Sequence, residues 1–332
     1  MDKPGNKIIQ IFLTCLIAFT VSYAANPRVL VFTKTAGFDH GTRTVVDSLI
    51  KALGAANGFD VDTSNNSASF TDTTLARYKA VCFINATGDP IMTDSQKTAF
   101  QRFIRAGNGY VGMHGSADCE YNWPWYGNLT GAWFMGHPYG IKTGKVAVLD
   151  KTHPSTSFIT GDTITRAEEY YFFYLNGTAK KDPATNPNLH VLLMLNDASL
   201  DPNYPFHPHP FSWYQEFDGG RSWYSGFGHD PNYFRDPFIQ KHLLGGILYA
   251  AGMVPSKTLT AKNDFRMPVR PVSAAVYDLS GKKIRTLALP SGAMQPVWNK
   301  KDQNGRFVSN GVYLLKMDYG TWVSVSAVMV RK

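Results

Sequence analysis

Cysteine is scarce in this sequence, with three in 332 residues, and this scarcity excludes a scaffold stabilised by several disulfides. Only Cys82 and Cys119 lie beyond the N-terminal apolar segment. Cys82 falls in the strand-like run "KAVCFINA", where a free thiol packs as a small apolar side chain. We therefore expect two reduced thiols, with a single disulfide between them as the alternative.

Charged residues are also few, at 17% of the chain, and they form no long basic run or Lys/Arg-rich helix. The net charge of +8 is dispersed, so we predict no nucleic-acid partner. Internal repeats and low-complexity tracts are absent from the sequence, and its 44% hydrophobic content excludes a disordered chain. At this length we expect one large domain and a small one.

Residues 1–24 are typical of a signal peptide. Lys3 and Lys7 precede the apolar run "IIQIFLTCLIAFTVSYA", whose last three residues fit a small-x-small cleavage site. We predict that the mature chain begins near Ala25 and is secreted, periplasmic or at the cell surface. A single-pass anchor is the alternative, although the run is short for a membrane span. Cys15 lies inside the run, which argues against a lipoprotein.

Strand and helix patterns alternate between Arg28 and Gly115. Runs such as "RVLVFTK" and "KAVCFINAT" are typical of buried parallel strands, while "TRTVVDSLIKALGAANG" has apolar residues at helical spacing. This alternation predicts an α/β fold with a mostly parallel sheet and helices on both faces. Residues 116–227 have strand-like runs and few helices, which indicates a partly antiparallel extension. The helix "DPFIQKHLLGGILYAAG" then closes a domain over 27–252.

The C-terminal part has a different texture. Residues 253–270 are polar and contain two prolines, as in a linker. Residues 271–332 contain alternating strands, "VSAAVYDLSGKKIRTLAL" and "TWVSVSAVMVRK" among them, separated by turn signals. We predict a small all-β sandwich.

Three histidines follow predicted strands of the large domain. The segment "TKTAGFDHG" brings Gly37, Phe38 and His40 after the first strand. His114 lies in "YVGMHGS" after another strand, and His229 follows "WYSGFG". Ligands of an open parallel sheet bind beyond the carboxyl ends of its strands, so we expect the three histidines at one rim. A single histidine in such a place is often only a hydrogen-bonding surface residue.

Histidine suits two kinds of chemistry at such a rim. Its unperturbed pKa favours acid–base catalysis near neutral pH, and it is a common metal ligand. The sequence contains no H-E-x-x-H, paired C-x-x-C or calcium-loop spacing, so a divalent metal remains an open alternative and the cofactor is undetermined.

The aromatic segment "EYNWPWYGNLTGAWF" follows His114 directly. It supplies four further candidates for substrate binding, namely Glu120, Trp123, Trp125 and Tyr126. Aromatic faces stack on the C–H faces of sugar rings, and carboxylates bind sugar hydroxyls. Packing of these rings in the core is the alternative for each of them.

The motifs "TKTAGFDH", "GNGYVGMHGSADCEYNWPWYGNLTGAWFMGHP", "EYYFF", "HPFSWYQEFDGGRSWYSGFGHD" and "FIQKHLLGGILYAAG" together resemble the ThuA-like (trehalose utilisation) family. That family is similar in fold to class I glutamine amidotransferases, a flavodoxin-like arrangement. The resemblance implies a role in sugar metabolism, with keto-disaccharides and related glycosides as substrates. It also implies further site positions, which are His137, Glu169, His209, Glu216 and His242. The "EYYFF" segment departs from the family pattern at Phe172, where asparagine is usual.

The resemblance to amidotransferases bears directly on His114. Their nucleophile is a cysteine in G-x-C-x-G, and "GMHGS" places His114 at that position, while "GFGHDP" places His229 at their catalytic histidine. Without a thiolate, glutamine hydrolysis through a thioester is excluded. We predict a carbohydrate-active enzyme with His114 and His229 as its proton-transfer pair and His40 beside them. The alternative is a non-catalytic carbohydrate-binding or cell-surface protein.

The C-terminal segment "VYDLSGKKIRTL" to "VSNGVYLLKM" resembles the Ig-like module of flagellar-hook-capping proteins and type IX secretion sorting tails. This resemblance implies export, transient contact with the export machinery and retention at the cell surface. It implies nothing about the chemistry of the site.

Overall fold

The computed structural model describes residues 25–173, 183, 186–201, 209–253, 273–289, 298–318 and 323–330. The signal-peptide prediction (1–24) and nearly all of the linker prediction (253–270) fall outside these residues. Among the described residues, no helix combines the length and the apolar character needed to cross a membrane.

Eleven strands and five helices make up the described part of the first domain. The strands are β1 (Arg28–Phe32), β2 (Asp60–Ser64), β3 (Ala80–Ile84), β4 (Gly109–Met113), β5 (Phe134–Gly136), β6 (Lys142–Val148), β7 (Thr163–Glu168), β8 (Phe172–Phe173), β9 (His190–Asn196), β10 (His209–Phe217) and β11 (Gly220–Ser225). The helices are α1 (Arg43–Asn57), α2 (Asp72–Leu75), α3 (Asp94–Arg105), α4 (Pro124–Thr130) and α5 (Pro237–Ala250).

Nine of these strands form one sheet in the order β2-β1-β3-β4-β11-β10-β9-β6-β7, and β5 pairs with β8 in a small ribbon. The strands from β2 to β11 are parallel neighbours. From β11 to β7, each neighbouring pair is antiparallel. The α/β prediction, with its partly antiparallel extension, is therefore confirmed.

Local signals explain where the main helices begin and end. Helix α1 ends at Gly58, which has a φ of 74° and closes the last turn through its amide. Helix α3 begins with a capping box between Thr93 and Gln96. Asp236 caps the first turn of α5, and proline occupies the next position.

The sheet buries alternate side chains in two cores on its opposite faces. One core contains Val29 and Val31 of β1 together with α1 and α5. The other contains Leu30 and Phe32 together with α3 and α4. Cys82 belongs to the first core and Cys119 to the second, and both are free thiols, as the expectation of two reduced cysteines requires.

The described C-terminal residues form a separate four-stranded antiparallel sheet. Its strands are β12 (Ser273–Tyr277), β13 (Lys283–Leu287), β14 (Gly311–Asp318) and β15 (Val323–Val330), in the order β13-β12-β14-β15. It has its own small core around Val276. A sandwich requires two facing sheets, and these residues form one, so the Ig-like form remains a prediction.

Candidate functional site

The carboxyl ends of the parallel strands bring the three predicted histidines together. The strand order reverses between β1 and β3, which is where ligands of such sheets bind. The ring centroids of His40 and His114 are 4.9 Å apart, those of His40 and His229 are 5.2 Å apart, and those of His114 and His229 are 5.3 Å apart. The histidines therefore form one cluster at the predicted rim.

His114 directly follows β4 and is the first residue of a short 3-10 turn, His114–Ala117. Its φ of 45° lies in the left-handed region, which is strained for a non-glycine residue and is often found at functional sites. The imidazole is fully buried, and its Nδ1 lies 2.8 Å from the carbonyl oxygen of Gly226. Nδ1 must therefore carry the proton and donate it to this carbonyl. Nε2 is left with a lone pair directed into the cluster.

The glycines beside His114 serve close packing. A Cβ atom on Gly115 would lie 2.9 Å from Cγ2 of Thr87, and one on Gly112 would lie 2.6 Å from the hydroxyl oxygen of Tyr110. Because the left-handed residue is His114 itself, these glycines are needed for the space around the turn.

Two consecutive glutamates support the cluster from the end of β7. The buried Glu168 carboxylate accepts backbone N–H groups from Gly228 at 2.9 Å, His229 at 3.3 Å and Glu169 at 2.9 Å. Burial raises the pKa of Glu168 to about 8. This carboxylate fixes the backbone that carries His229. Only the doubled acid in "AEEYYFF" could have indicated Glu168 from the sequence.

Glu169 points its carboxylate at three imidazoles. Its Oε2 lies 3.0 Å from Nδ1 of His229 and 3.4 Å from Nε2 of His114, and its Oε1 lies 3.3 Å from Nδ1 of His137. Despite these short distances, the ring nitrogens of His114 and His229 that face Glu169 are not aligned for a hydrogen bond and have no such partner. They are directed at a common space beside the carboxylate.

A third buried ring nitrogen, Nδ1 of His40, also lacks a hydrogen-bond partner. His40, His114, His229 and Glu169 each offer one ligand atom, and these four atoms all lie within 4.8 Å of one another. Buried polar atoms are normally hydrogen-bonded, so three unpartnered nitrogens in one place require an explanation. A bound cation would accept the lone pairs of these nitrogens together and so would provide that explanation.

The electrostatics of the cluster favour neutral imidazoles at His40 and His114. Burial, reinforced by the neighbouring His114 and His229, lowers the pKa of His40 to about 3, and burial lowers that of His114 as well. The Glu169 carboxylate raises the pKa of His229. Burial alone would raise the pKa of Glu169, but the imidazoles of His114 and His229 outweigh it and hold the pKa below its ordinary value.

This donor set fits a divalent transition metal such as zinc. Neutral imidazole and carboxylate ligands suit zinc and its first-row neighbours. Outer hydrogen bonds orient the rings, as is usual around metals. The Gly226 carbonyl holds His114, and the Tyr171 hydroxyl lies 3.4 Å from Nε2 of His40.

Aromatic rings border the cluster. The ring of Phe38 is 63% exposed and lies 4.8 Å from that of His40. Gly37 lets this loop approach Gly88, since a Cβ atom on Gly37 would lie 3.1 Å from the Gly88 amide nitrogen. On the other side, Tyr171 lies 4.0 Å from His114. Phe38 thus presents an exposed apolar ring next to the candidate ligand atoms.

The predicted residues of the tryptophan segment make their contacts with the protein core and with Asp218, and not with the three histidines. Trp123 and Tyr126 are buried in the core that packs against α3, with ring centroids 5.8 Å apart. Nε1 of Trp125 donates to Asp218. The Glu120 carboxylate is fully buried and accepts the backbone N–H groups that precede α3. These contacts are those of a folded core.

The other positions implied by the family resemblance have varied surroundings. His137 borders the cluster through Glu169. His209 is buried between Asp197 and the backbone oxygen of Tyr171, so it supports the ring that covers His114. Glu216 is exposed near the amino end of β11. His242 is buried in α5.

The family model described as "ThuA: Trehalose utilisation" matches residues 28–250. No curated protein matches the sequence. A ThuA-like protein from Bacteroides uniformis has a similar structure, with 22% identity and a TM-score of 0.57, over 70% of this chain and 95% of the other. One from Parabacteroides merdae has 17% identity and a TM-score of 0.53, over 68% and 90%.

A weaker likeness, with 12% identity and a TM-score of 0.42, is to the glutaminase domain of Trypanosoma brucei CTPS, over 68% of this chain and 94% of the other. The family match covers all the strands and helices that build the histidine cluster. This chain belongs to the ThuA family of trehalose utilisation.

Proposed function

We propose that this protein is a secreted enzyme of carbohydrate utilisation that performs acid–base chemistry on a keto-sugar or glycoside with the help of a divalent metal. His40, His114, His229 and Glu169 would hold the metal. The observation that carries the proposal is the convergence of three unpartnered, buried imidazole nitrogens on one carboxylate. A pair of histidines that only transferred protons would not need the third buried nitrogen, Nδ1 of His40, beside the same carboxylate.

The bound metal would act as a Lewis acid on a carbonyl or hydroxyl oxygen of the sugar. This role agrees with the buried, neutral state of His40 and His114, whose lone pairs face inward. The Gly226 carbonyl holds the Nδ1 proton of His114, so the lone pair of Nε2 is the one that would bind the metal. In the proposed reaction His114 and His229 would be ligands, because one nitrogen of each lies within 4.8 Å of the ligand atoms of His40 and Glu169.

His137 is the histidine best placed to exchange a proton with the substrate. Its side chain is 36% exposed, and its Nδ1 lies 2.9 Å from the Pro138 carbonyl and 3.3 Å from Glu169. With Nδ1 engaged in this way, Nε2 remains available to a substrate. Glu169 would orient both the metal and His137 through its two oxygens.

The sugar substrate is supported by the family description and by the exposed ring beside the cluster. Phe38 presents a flat apolar surface of the kind that covers a sugar C–H face. A keto-sugar offers a carbonyl oxygen that a metal can polarise. Thioester chemistry has no candidate nucleophile here, since Cys119 is fully buried and burial raises the pKa of its thiol well above the ordinary value.

Export is part of the proposal and rests on the sequence alone. The N-terminal segment has the features of a signal peptide. The C-terminal sheet would serve as the element that the export machinery recognises.

Metal analysis and a substrate screen test the proposal. Purified protein should contain, or take up, about one divalent ion per chain, as elemental analysis would measure. Oxidised and unoxidised disaccharides should then be screened for turnover with and without a chelator. Turnover that the chelator abolishes and added metal restores is the expected result. Full turnover in the chelated protein would contradict the metal role, and disaccharide binding without turnover would favour the non-catalytic alternative.

A further inference from the structure

Asn85, the first residue after β3, has a side chain that no sequence pattern singled out. It is buried, and its amide nitrogen lies 3.0 Å from Oγ1 of Thr42 and 2.8 Å from the carbonyl oxygen of Gly228. Its amide oxygen accepts the backbone N–H of Gly115 at 3.0 Å. Both donors and the acceptor of the amide are therefore used, each on a different segment of the chain.

Each partner of Asn85 is close in sequence to one histidine of the cluster. The pairs are Thr42 with His40, Gly115 with His114, and Gly228 with His229. One buried amide thus links the three loops that deliver the imidazoles. Other residues support single loops, as Glu168 does for the His229 loop.

The backbone explains why asparagine occupies this position. Asn85 has a φ of 51°, in the left-handed region that asparagine tolerates better than most residues. Gly115 lacks a Cβ atom, which would otherwise lie 3.2 Å from the Asn85 amide oxygen. Aspartate has the same shape but cannot donate, so it would place an oxygen against the Gly228 carbonyl.

We propose that Asn85 is a positioning residue that sets the spacing of the three histidine loops, so that their ring nitrogens can bind one metal ion. This inference rests on the proposed metal site. It assigns Asn85 no contact with the metal or the substrate. Its effect passes through the loop backbones, much as outer hydrogen bonds tune other metal centres.

Cobalt(II) binding tests this role, because the visible spectrum of bound cobalt reports ligand geometry independently of catalysis. Asn85→Asp should bind cobalt about 10- to 100-fold more weakly than the wild type and with shifted absorption bands. Thr156→Val is the matched control. It also removes a buried donor to a backbone carbonyl, that of Asp150, but distant in sequence from the cluster loops. The control should keep the wild-type affinity and spectrum.

Wild-type affinity and spectrum in Asn85→Asp would overturn the inference. If that variant does not fold, Thr42→Val decides: weaker cobalt binding supports the role of Asn85, and unchanged binding overturns it. Failure of the wild type to bind cobalt would contradict the proposed function instead. In that case ¹H–¹⁵N spectra of the histidine rings decide, since changed ring signals of His114 and His229 in the variant support positioning and identical signals overturn it.

Discussion

Two buried glutamates, both predicted from the sequence as site residues, have opposite surroundings. Glu120 accepts the backbone N–H groups of Ile91 and Met92, and Nζ of Lys97 lies 2.5 Å from its Oε2. Glu169 faces imidazoles, and among the described residues no lysine or arginine pairs with it. A carboxylate whose charge a fixed lysine already balances has a structural role. One that faces imidazoles, with no lysine or arginine beside it, has room for a metal cation.

Two fully buried histidines extend the comparison. His242 uses both ring nitrogens, with Nδ1 2.8 Å from the Ser155 carbonyl oxygen and Nε2 3.1 Å from Oγ of Ser225. His114 uses only Nδ1. Burial and residue type are the same in the two cases, and an unpartnered nitrogen alone decides nothing, since the buried His153 also has one. The candidate site differs because its unpartnered nitrogens lie together beside a carboxylate.

The largest expected effect is a loss of stability at acid pH. One histidine of the cluster, His40, and one of the core, His242, both contribute to it. Burial lowers the pKa of His40 to about 3 and that of His242 to about 4, whereas both would titrate near 6.5 when unfolded. Below pH 6.5 the unfolded state therefore binds more protons, and the free energy of unfolding should fall as the pH drops toward 4. Each histidine can contribute up to about 3 kcal/mol over that range.

Denaturant titrations of the metal-free protein at pH 7, 5.5 and 4 would measure this loss. Glu168 works in the opposite direction, because its raised pKa stabilises the folded state below about pH 4.5 and this contribution disappears as the pH rises toward 8. The measurement is therefore repeated in Glu168→Gln, which removes the opposing group. A free energy of unfolding that stays constant from pH 7 to 4 in that variant would mean that the buried histidines are not held neutral.

Trp123→Ala should greatly lower the stability of the protein and leave the metal site intact. Truncating a buried tryptophan costs about 3–5 kcal/mol of unfolding free energy because it leaves a cavity. Cobalt affinity should stay at the wild-type value, since Trp123 belongs to the core on the α3 side. Thermal unfolding and a cobalt titration would measure both quantities. Reduced sugar affinity without loss of stability would instead assign Trp123 to the binding site.

His114→Ala should instead impair the candidate site. We expect turnover of the true substrate to fall about 100-fold, because the proposed metal would lose one of its four ligands. This loss corresponds to about 2.7 kcal/mol of transition-state stabilisation. His242→Ala is the control, because it should lower stability and leave cobalt binding intact. His114→Cys should lose turnover in the same way and gain no glutaminase activity. Wild-type turnover in His114→Ala would remove this residue from the chemistry.

Phe38→Ala should have a smaller effect, confined to ligand binding. Losing one aromatic contact should weaken disaccharide binding by about 0.5–1.5 kcal/mol. The unfolding free energy should hardly change, because the ring is mostly exposed. Calorimetric titration of the wild type and the variant with a disaccharide that binds would measure this difference in binding free energy. A destabilised variant with normal affinity would assign Phe38 to packing.

Deleting residues 272–332 should have the smallest effect on the first domain. The hydrophobic clusters of that domain draw all of their residues from 29–253, and the C-terminal sheet has its own cluster. The shortened protein should keep one cooperative unfolding transition at nearly the original temperature. Loss of that transition in a calorimetric scan would show that the domain boundary is wrong.

The parallel half of the sheet could be predicted because each segment carries its own signals, such as the capping box at Thr93 and the left-handed Gly58 after α1. The strand order of the antiparallel half could not be predicted. The placement of β9 between β10 and β6 depends on packing between distant segments. Local patterns contain no information about such pairings.

The histidine cluster was predictable for a similar reason, since each histidine follows a strand and strand ends meet at one edge. Asn85 and Glu168 were not predictable, because their partners are backbone atoms far away in the sequence. The tryptophan segment shows a different limit. Stacking on sugars and packing in a core require the same residue types, so only the structure could distinguish them.

The presence of His114, and not of a cysteine, at the turn after β4 has a consequence for where the protein can work. Both described thiols are fully buried, and burial raises their pKa values, so peroxide and alkylating reagents find no thiolate to attack. Outside the cell, peroxide would inactivate an enzyme of this fold that depended on a reactive thiolate. Imidazoles on the same scaffold would tolerate them, which makes this version of the turn durable in an oxidising environment.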